Sequence, residues 1–419
     1  MNITSSRLTA TAIFLASLSA SAAEYTPADT RTAIFSPDYR TLTIEVEGNR
    51  LAPAVLVNGA DDRLVIGFDG MGDEREYLRY SIYHCDADWS LSDLVDSEVF
   101  DGFNYADIED YAFSRGTITH YVHYTVTLPN GAFRFRLSGN YLMRVYPENN
   151  PDDVLLQARF MVSEGAVSVS GDASSRTDID YNATHQQIAV NVALGKYPVR
   201  DPYNDITLKV IQNGRHDNTA TLRHPTRVSG TTLTFEHNPA LIFRAGNEYR
   251  RMESVSTSYP GMGVDQISFE EPYYHMWLAT DRPRLGDPYR FDRTQHGRFF
   301  VREYNSTSSD TEADYVPVHF SLDMLQIPDA EVYLDGDFTH RAFDRDSRMD
   351  YNPSAGRYEK VMMLKQGAYN YQYVAVPPVF NIEGDFYQTV NEYLVLVYYR
   401  APGERFDRLL GAGVIYSGT

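Results

Sequence analysis

The string HCDADW, residues 84–89, places a histidine, the only cysteine of the chain, two aspartates and one of the two tryptophans within six positions. Side chains of these types serve two chemistries. Imidazole, thiolate and carboxylate ligate metals, and the same groups act as general acids, bases and nucleophiles. Spacing decides between them. On a strand, His84 and Asp86 share a face with Ile82, and Cys85 points the other way. Two ligands fall short of the four that close a zinc site, while Asp88 and Trp89 lie past the strand, in a turn. The string therefore reads as a strand end in which aspartates bond their own backbone and Trp89 folds over the core edge. A catalytic reading would require His84, Asp86 and Asp88 to converge on solvent.

Other candidates fail on spacing. His120 and His123 form an H-x-x-H pair, but Tyr, Val and Thr around them favour a strand, which sends rings at an odd spacing to opposite faces. DRDSRMD, Asp344–Asp350, lacks the third spaced acid, the central glycine and the closing glutamate of a helix–loop–helix calcium site. Asp107 and Glu109 are paired carboxylates in a chain with 57 acidic residues, where such pairs arise by chance. No G-x-S-x-G elbow, phosphate-binding loop or helix-opening G-x-G-x-x-G occurs. With one cysteine, no internal disulfide can form, and Cys85 is expected to be buried and inert.

The elements that must position these residues are strands. The chain has 32 tyrosines and 21 phenylalanines, residues that fit a pleated, half-buried surface. Apolar alternation recurs in TLTIEVEG, EYLRYSIYHC, ITHYVHYTVTLP and NYLMRVYP, with turn signals between. No segment sustains helical spacing with caps. The fold class expected is all-β: tandem immunoglobulin-like or E-set β-sandwich domains with few helices. The expected division is an export signal over 1–23, a first sandwich over 24–165, a second with long loops over 166–310, and a C-terminal sandwich over 311–419. The export reading rests on Arg7, the apolar run TAIFLASLSA and the A-x-A pattern of Ala20 and Ala22. No cysteine follows that site to carry a lipid, and no stretch approaches the ~20 apolar residues of a membrane span. A formal net charge of −20 repels phosphate backbones and anionic membrane faces.

Several strings then occur in a telling order: YSIYHCDADWSLSDL, SRGTITHYVHY, SGNYLMRVYP, IQNGR from Ile211, FRAGNEYRRME from Phe243, LKQGAYNYQY from Leu364, and IEGDFYQTVNEYLVLVYYRAPGERFDRLLG from Ile382. Together they resemble the type IX secretion system plug family of Bacteroidota across nearly the whole mature chain. One departure is His216, where that family commonly has an aromatic. The resemblance implies a non-enzymatic periplasmic protein, held through protein contacts at the outer-membrane translocon barrel, whose pore it occludes. No cofactor, metal-site residue or small-molecule substrate is expected with it, and the charge and the short apolar runs already argue against nucleic acid and direct membrane insertion. The resemblance carries no catalytic or binding residue. The strings mark instead a structural signature: His84, Cys85, Asp86, Asp88, Trp89, Gly139, Asn140, Gly246, Asn247, Glu248, Tyr249, Arg400, Arg405, Asp407 and Arg408. An alternative is a glycan-binding envelope protein, because VYLDGDFTHRAF and its surroundings resemble glycogen-binding modules. Such modules stack tryptophans on sugar, and neither Trp89 nor Trp277 falls within 311–419.

Overall fold

The computed structural model describes residues 25–418; the export-signal expectation lies outside them. The all-β expectation holds. The two α-helices among the described residues, Asp96–Val99 and Ser309–Glu312, have four residues each. The strands build three sandwiches, each around its own core.

The first sandwich packs two sheets. One orders Ala33–Ile34, Leu156–Ser163, Gly139–Pro147, Leu78–Cys85 and Ala106–Asp107, with Val55–Val57 running parallel to Leu156–Ser163. The other orders Tyr39–Val46, Leu64–Met71, Tyr121–Leu128 and Asp110–Phe113. Period-two alternation supplies the core: Leu64, Ile66 and Phe68 meet Val122, Tyr124 and Val126 from one sheet, and Tyr80, Ile82, Tyr141 and Met143 from the other.

The second and third sandwiches depart from the expected division. In the second, Ser168–Ser174, His185–Ala193, Thr232–Phe235 and Arg227–Ser229 form one sheet. The other orders Thr219–Leu222, Ile206–Gln212, Glu392–Tyr399 and Arg408–Tyr416. The last hairpin of the chain thus belongs to the second sandwich, with Leu208 opposite Val397 and Val210 opposite Val395. The third sandwich is inserted before that hairpin. It takes Arg250–Glu253, Gly367–Val376, Phe299–Val301 and Glu331–Asp335 in one sheet. The other holds Val264–Glu270, Tyr273–Leu278, Tyr315–Leu322, Arg357–Lys365 and Asp350–Asn352. The boundary expected at 311 therefore cuts through the third sandwich, and 311–419 is not one unit. Composition marks strands and junctions but carries no information on which distant strands pair. Trp277 consequently lies on the third sandwich, contrary to the expectation that this unit holds no tryptophan.

Glu392–Tyr399 is buried along its whole length. Tyr393, Val395 and Val397 face the core of the second sandwich. Leu394, Leu396 and Tyr398 face a separate cluster with Cys85, Ala87, Trp89, Leu142 and Met161 of the first. A strand covered on both faces reads as a continuous apolar run, which is what EYLVLVYY is.

Candidate functional site

The signature residues gather at the junctions between sandwiches. The strand Leu78–Cys85 ends where expected, and a turn closes by a hydrogen bond from the Trp89 amide to the Asp86 carbonyl (2.9 Å) with Trp89 at φ +70°. Asp88 accepts from the Ser90 amide and hydroxyl, as an aspartate in a turn does. Cys85 does face away from Ile82, into the junction cluster. Trp89 departs from expectation. It packs into the junction rather than over the first core, with Arg159 4.3 Å above its ring and His216 edge-on at 5.9 Å. The sequence departure at His216 thus falls on an inter-sandwich contact.

His84, Asp86 and Asp88 do not converge on solvent. His84 is 5% exposed. Its Nε2 lies 3.1 Å from the Ser138 carbonyl, which can only accept, so Nε2 carries the proton and Nδ1 accepts from the Ser92 hydroxyl at 2.9 Å. Burial pushes the imidazole pKa down, which favours this neutral form. Gly139 allows the close approach. Its φ is +143°, and a Cβ there would overlap His84 Nε2 and meet the Asp407 carbonyl at 3.2 Å.

Asp86 instead clasps the C-terminal hairpin. Its carboxylate accepts from the Asp407 amide (3.0 Å) and forms an ion pair with Arg400 (2.5 Å). Asp407 replies by accepting from the Ala87 amide (2.9 Å) and pairing with Arg400 (2.9 Å). Asn140 donates to the Asp86 carbonyl and accepts from the Tyr398 hydroxyl. Arg408 pairs with Glu164, and Arg405 with Glu98. Ten of the fifteen signature residues therefore serve this one junction; Asp88 stays in its own turn, and Gly246, Asn247, Glu248 and Tyr249 hold the second sandwich to the third. The Gly246 amide donates to Asp385, the Asn247 side chain to the Glu383 carbonyl, and Glu248 accepts from Tyr289 and the Val390 amide. The Tyr249 hydroxyl accepts from the guanidinium of Arg341 at 2.9 Å.

The third junction, between first and third sandwiches, was not legible in sequence. Asp69 is fully buried and 2.5 Å from the Lys365 ammonium, itself 1% exposed. The same carboxylate accepts from the Tyr315 hydroxyl (2.7 Å) and His123 Nδ1 (2.7 Å). Lys365 also donates to the Asp310 carbonyl and sits 4.1 Å over the Tyr121 ring. Asp314 accepts from the Ile118 and Thr119 amides of the first sandwich. Burial alone would raise the Asp69 carboxyl, but the Lys365 ammonium and His123 hold it below the usual range. His123 is thereby engaged here, while His120 pairs with exposed Asp73; the two do not share a site. The only sequence signal was a lysine within the apolar strand MMLKQG.

The remaining candidates are used locally. Asp344 accepts from the amides of Asp346 and Ser347 in its own loop, and Asp107 is paired with Arg79. Among the described residues no three histidine, cysteine or acidic side chains stand close enough to hold a metal ion. Burial pushes the Cys85 thiol up to about 12, so almost no thiolate exists at neutral pH. The native chain is expected to resist alkylation at pH 8 and to label only on denaturation, as read by intact mass. Rapid labelling of the native chain would mean that the first junction opens.

Comparison with known proteins agrees with this division at the first sandwich. Residues 39–164 match the family model described as type 9 secretion system plug protein, first domain. A crystal structure of a hypothetical protein from Parabacteroides merdae is similar at 41% identity and a TM-score of 0.90, covering 93% of this chain and 100% of that one. Two further structures are too dissimilar to carry an argument. They are an alkylpurine DNA glycosylase from Pseudomonas fluorescens (12% identity, TM-score 0.18, 30% of each chain) and a serine-rich repeat adhesion glycoprotein from Streptococcus agalactiae (7%, 0.13, 91% of this chain and 97% of that one). No curated protein matches the chain.

Proposed function

Because the chain belongs to the type IX secretion system plug family, we propose that it is a periplasmic protein that docks on the outer-membrane translocon barrel of that system and occludes its pore, without catalysing a reaction. Occlusion requires bulk that does not deform. The observation that carries the reading is the closed set of junctions: first to second, second to third, and third to first, each fastened by buried hydrogen bonds or ion pairs. Three sandwiches joined in a ring cannot hinge about one linker. A net charge of −20 suits a reversible partner, since charges around an interface make association fast and salt-sensitive. The interface expected is of modest area and partly polar. No helix among the described residues is long and apolar enough to cross a membrane.

The glycan-binding alternative gains Trp277 on an outward sheet face of the third sandwich. Yet that indole stacks on His319 at 3.6 Å, and its Nε1 donates to Ser268. One ring face is therefore already covered, which disfavours it as a sugar platform.

The test is co-purification. With the chain tagged in its own cells and the envelope solubilised in mild detergent, a very large outer-membrane barrel is expected in stoichiometric yield. Recovery of the chain alone, together with a deletion strain that secretes and seals normally, would overturn the reading and bring retention on glycans forward.

A further inference from the structure

The end of the third sandwich farthest from its contact with the first carries an apolar knob beside a cleft. Tyr315, at the first–third junction, opens the strand Tyr315–Leu322. Seven steps of about 3.3 Å place its other end roughly 23 Å away. There the chain turns outward into Leu325, which is 81% exposed. The long strand Gly367–Val376 runs to the same end, because Val376 pairs with Glu331, and continues into Val379 and Phe380, 58% and 39% exposed. Between these two loops lies an open cleft of about 530 Å³, whose lining mixes Ile327, Ala330, Val376 and Pro377 with the acidic Asp329 and Glu331.

The loops are held. The Ile327 amide donates to the buried Tyr358 hydroxyl (2.7 Å), the Asp323 amide to the Asp281 carbonyl (2.8 Å), and the Val379 amide to the Pro377 carbonyl (2.8 Å). Water-exposed leucine, valine and phenylalanine on anchored loops, next to a concavity of mixed polar and apolar lining, have the anatomy of an interface: apolar anchors beside a pocket that also offers polar partners. Other exposed aromatics are partly self-satisfied: on the first sandwich Phe103 packs near Tyr105 and Tyr105 under Arg79, and on the third Tyr259 packs edge-on against Tyr304.

The geometry points to this end of the third sandwich as the surface that docks the translocon barrel, through a partner segment that presents an apolar side chain flanked by lysine or arginine. The inference rests on the plug reading. Charge selects the partner class: the cleft residues include Asp329 and Glu331, and the guanidinium beside Glu331, Arg348 at 4.0 Å, is shared with Asp350 at 3.9 Å, so carboxylates remain in excess, which disfavours an anionic lipid surface and favours a basic protein segment. The knob also faces away from the first–third junction, so docking there leaves that contact intact.

The experiment compares barrel recovery with tagged full-length chains: wild type, the double variant L325E/V379E, D329K/E331K, and F103E as a control patch. All five substituted positions are exposed, so thermal melting is expected to be unchanged and is measured alongside. L325E/V379E is expected to lower barrel recovery at least tenfold, D329K/E331K to lower it severalfold, and F103E to leave it as wild type. Wild-type recovery by L325E/V379E would overturn the surface while leaving the plug reading standing. Absence of the barrel with the wild-type chain itself would overturn both. Two further results would also overturn it by naming a different occupant: concentration-dependent dimerisation of the purified chain, or flotation with zwitterionic or anionic vesicles, abolished by L325E/V379E.

Discussion

Replacing Lys365 with methionine is expected to destabilise the protein by about 3–5 kcal/mol, because it leaves the Asp69 carboxylate buried without its cation. The shape is nearly retained, so the loss is electrostatic. Asp69 keeps Tyr315 and His123 as donors, which compensate only in part. Adding Asp69→Asn is expected to recover much of the loss, since a neutral amide needs no counter-charge; urea midpoints of the two single variants and the double variant measure the coupling. Equal stability of wild type and Lys365→Met would show that the pair contributes nothing. The pH dependence follows with its sign. The folded state holds the Asp69 carboxyl below the value of an unfolded aspartate. Its contribution is therefore fully present above that ordinary value, about 3.9, and is lost as pH falls through the folded value. Lys365→Met removes the largest favourable partner, so its acid transition is expected at higher pH than that of the wild type.

Gly139→Ala is expected to cost about 3 kcal/mol, combining the strain of a non-glycine residue at φ +143° with overpacking against His84. Thermal melting reads the loss. The companion variant His84→Ala/Gly139→Ala separates the two causes. Removing the imidazole relieves the overlap but leaves the backbone strain and the Asp407 carbonyl at 3.2 Å. Partial recovery is the expected result, and no recovery would place the whole cost in the backbone. Because Gly139 precedes Asn140, which bonds both Asp86 and Tyr398, the damage should be centred on the first–second junction. Earlier alkylation of Cys85 in Gly139→Ala would report it there.

These two positions differ in how far the sequence exposed them. Gly139 lay in a string singled out by order and density, as did Asp86, Asp407 and Glu248, and the reading of HCDADW as a strand end with its turn was correct. What those residues do was not legible. Asp86 and Asp407 are separated by more than three hundred positions, and their reciprocal bonds exist only once the final hairpin reaches the first sandwich. Asp69 and Lys365 gave almost no signal. An aspartate in a glycine-rich strand end and a lysine in a strand are ordinary, and their burial follows from two sheets meeting face to face.

The sequence by itself determined the strands, their inward faces and the all-β class, because alternation is written in consecutive residues and needs no distant partner. It also determined that Cys85 lies opposite Ile82. Only the tertiary structure decided that Glu392–Tyr416 completes the second sandwich, that Trp277 belongs to the third, and that three pairwise junctions close on one another. The physical reason is that strand pairing and burial of charge are non-local. The same apolar strand can pair with several partners, and the choice is made by the sum of core packing, glycine clearance and ion pairing across residues hundreds of positions apart.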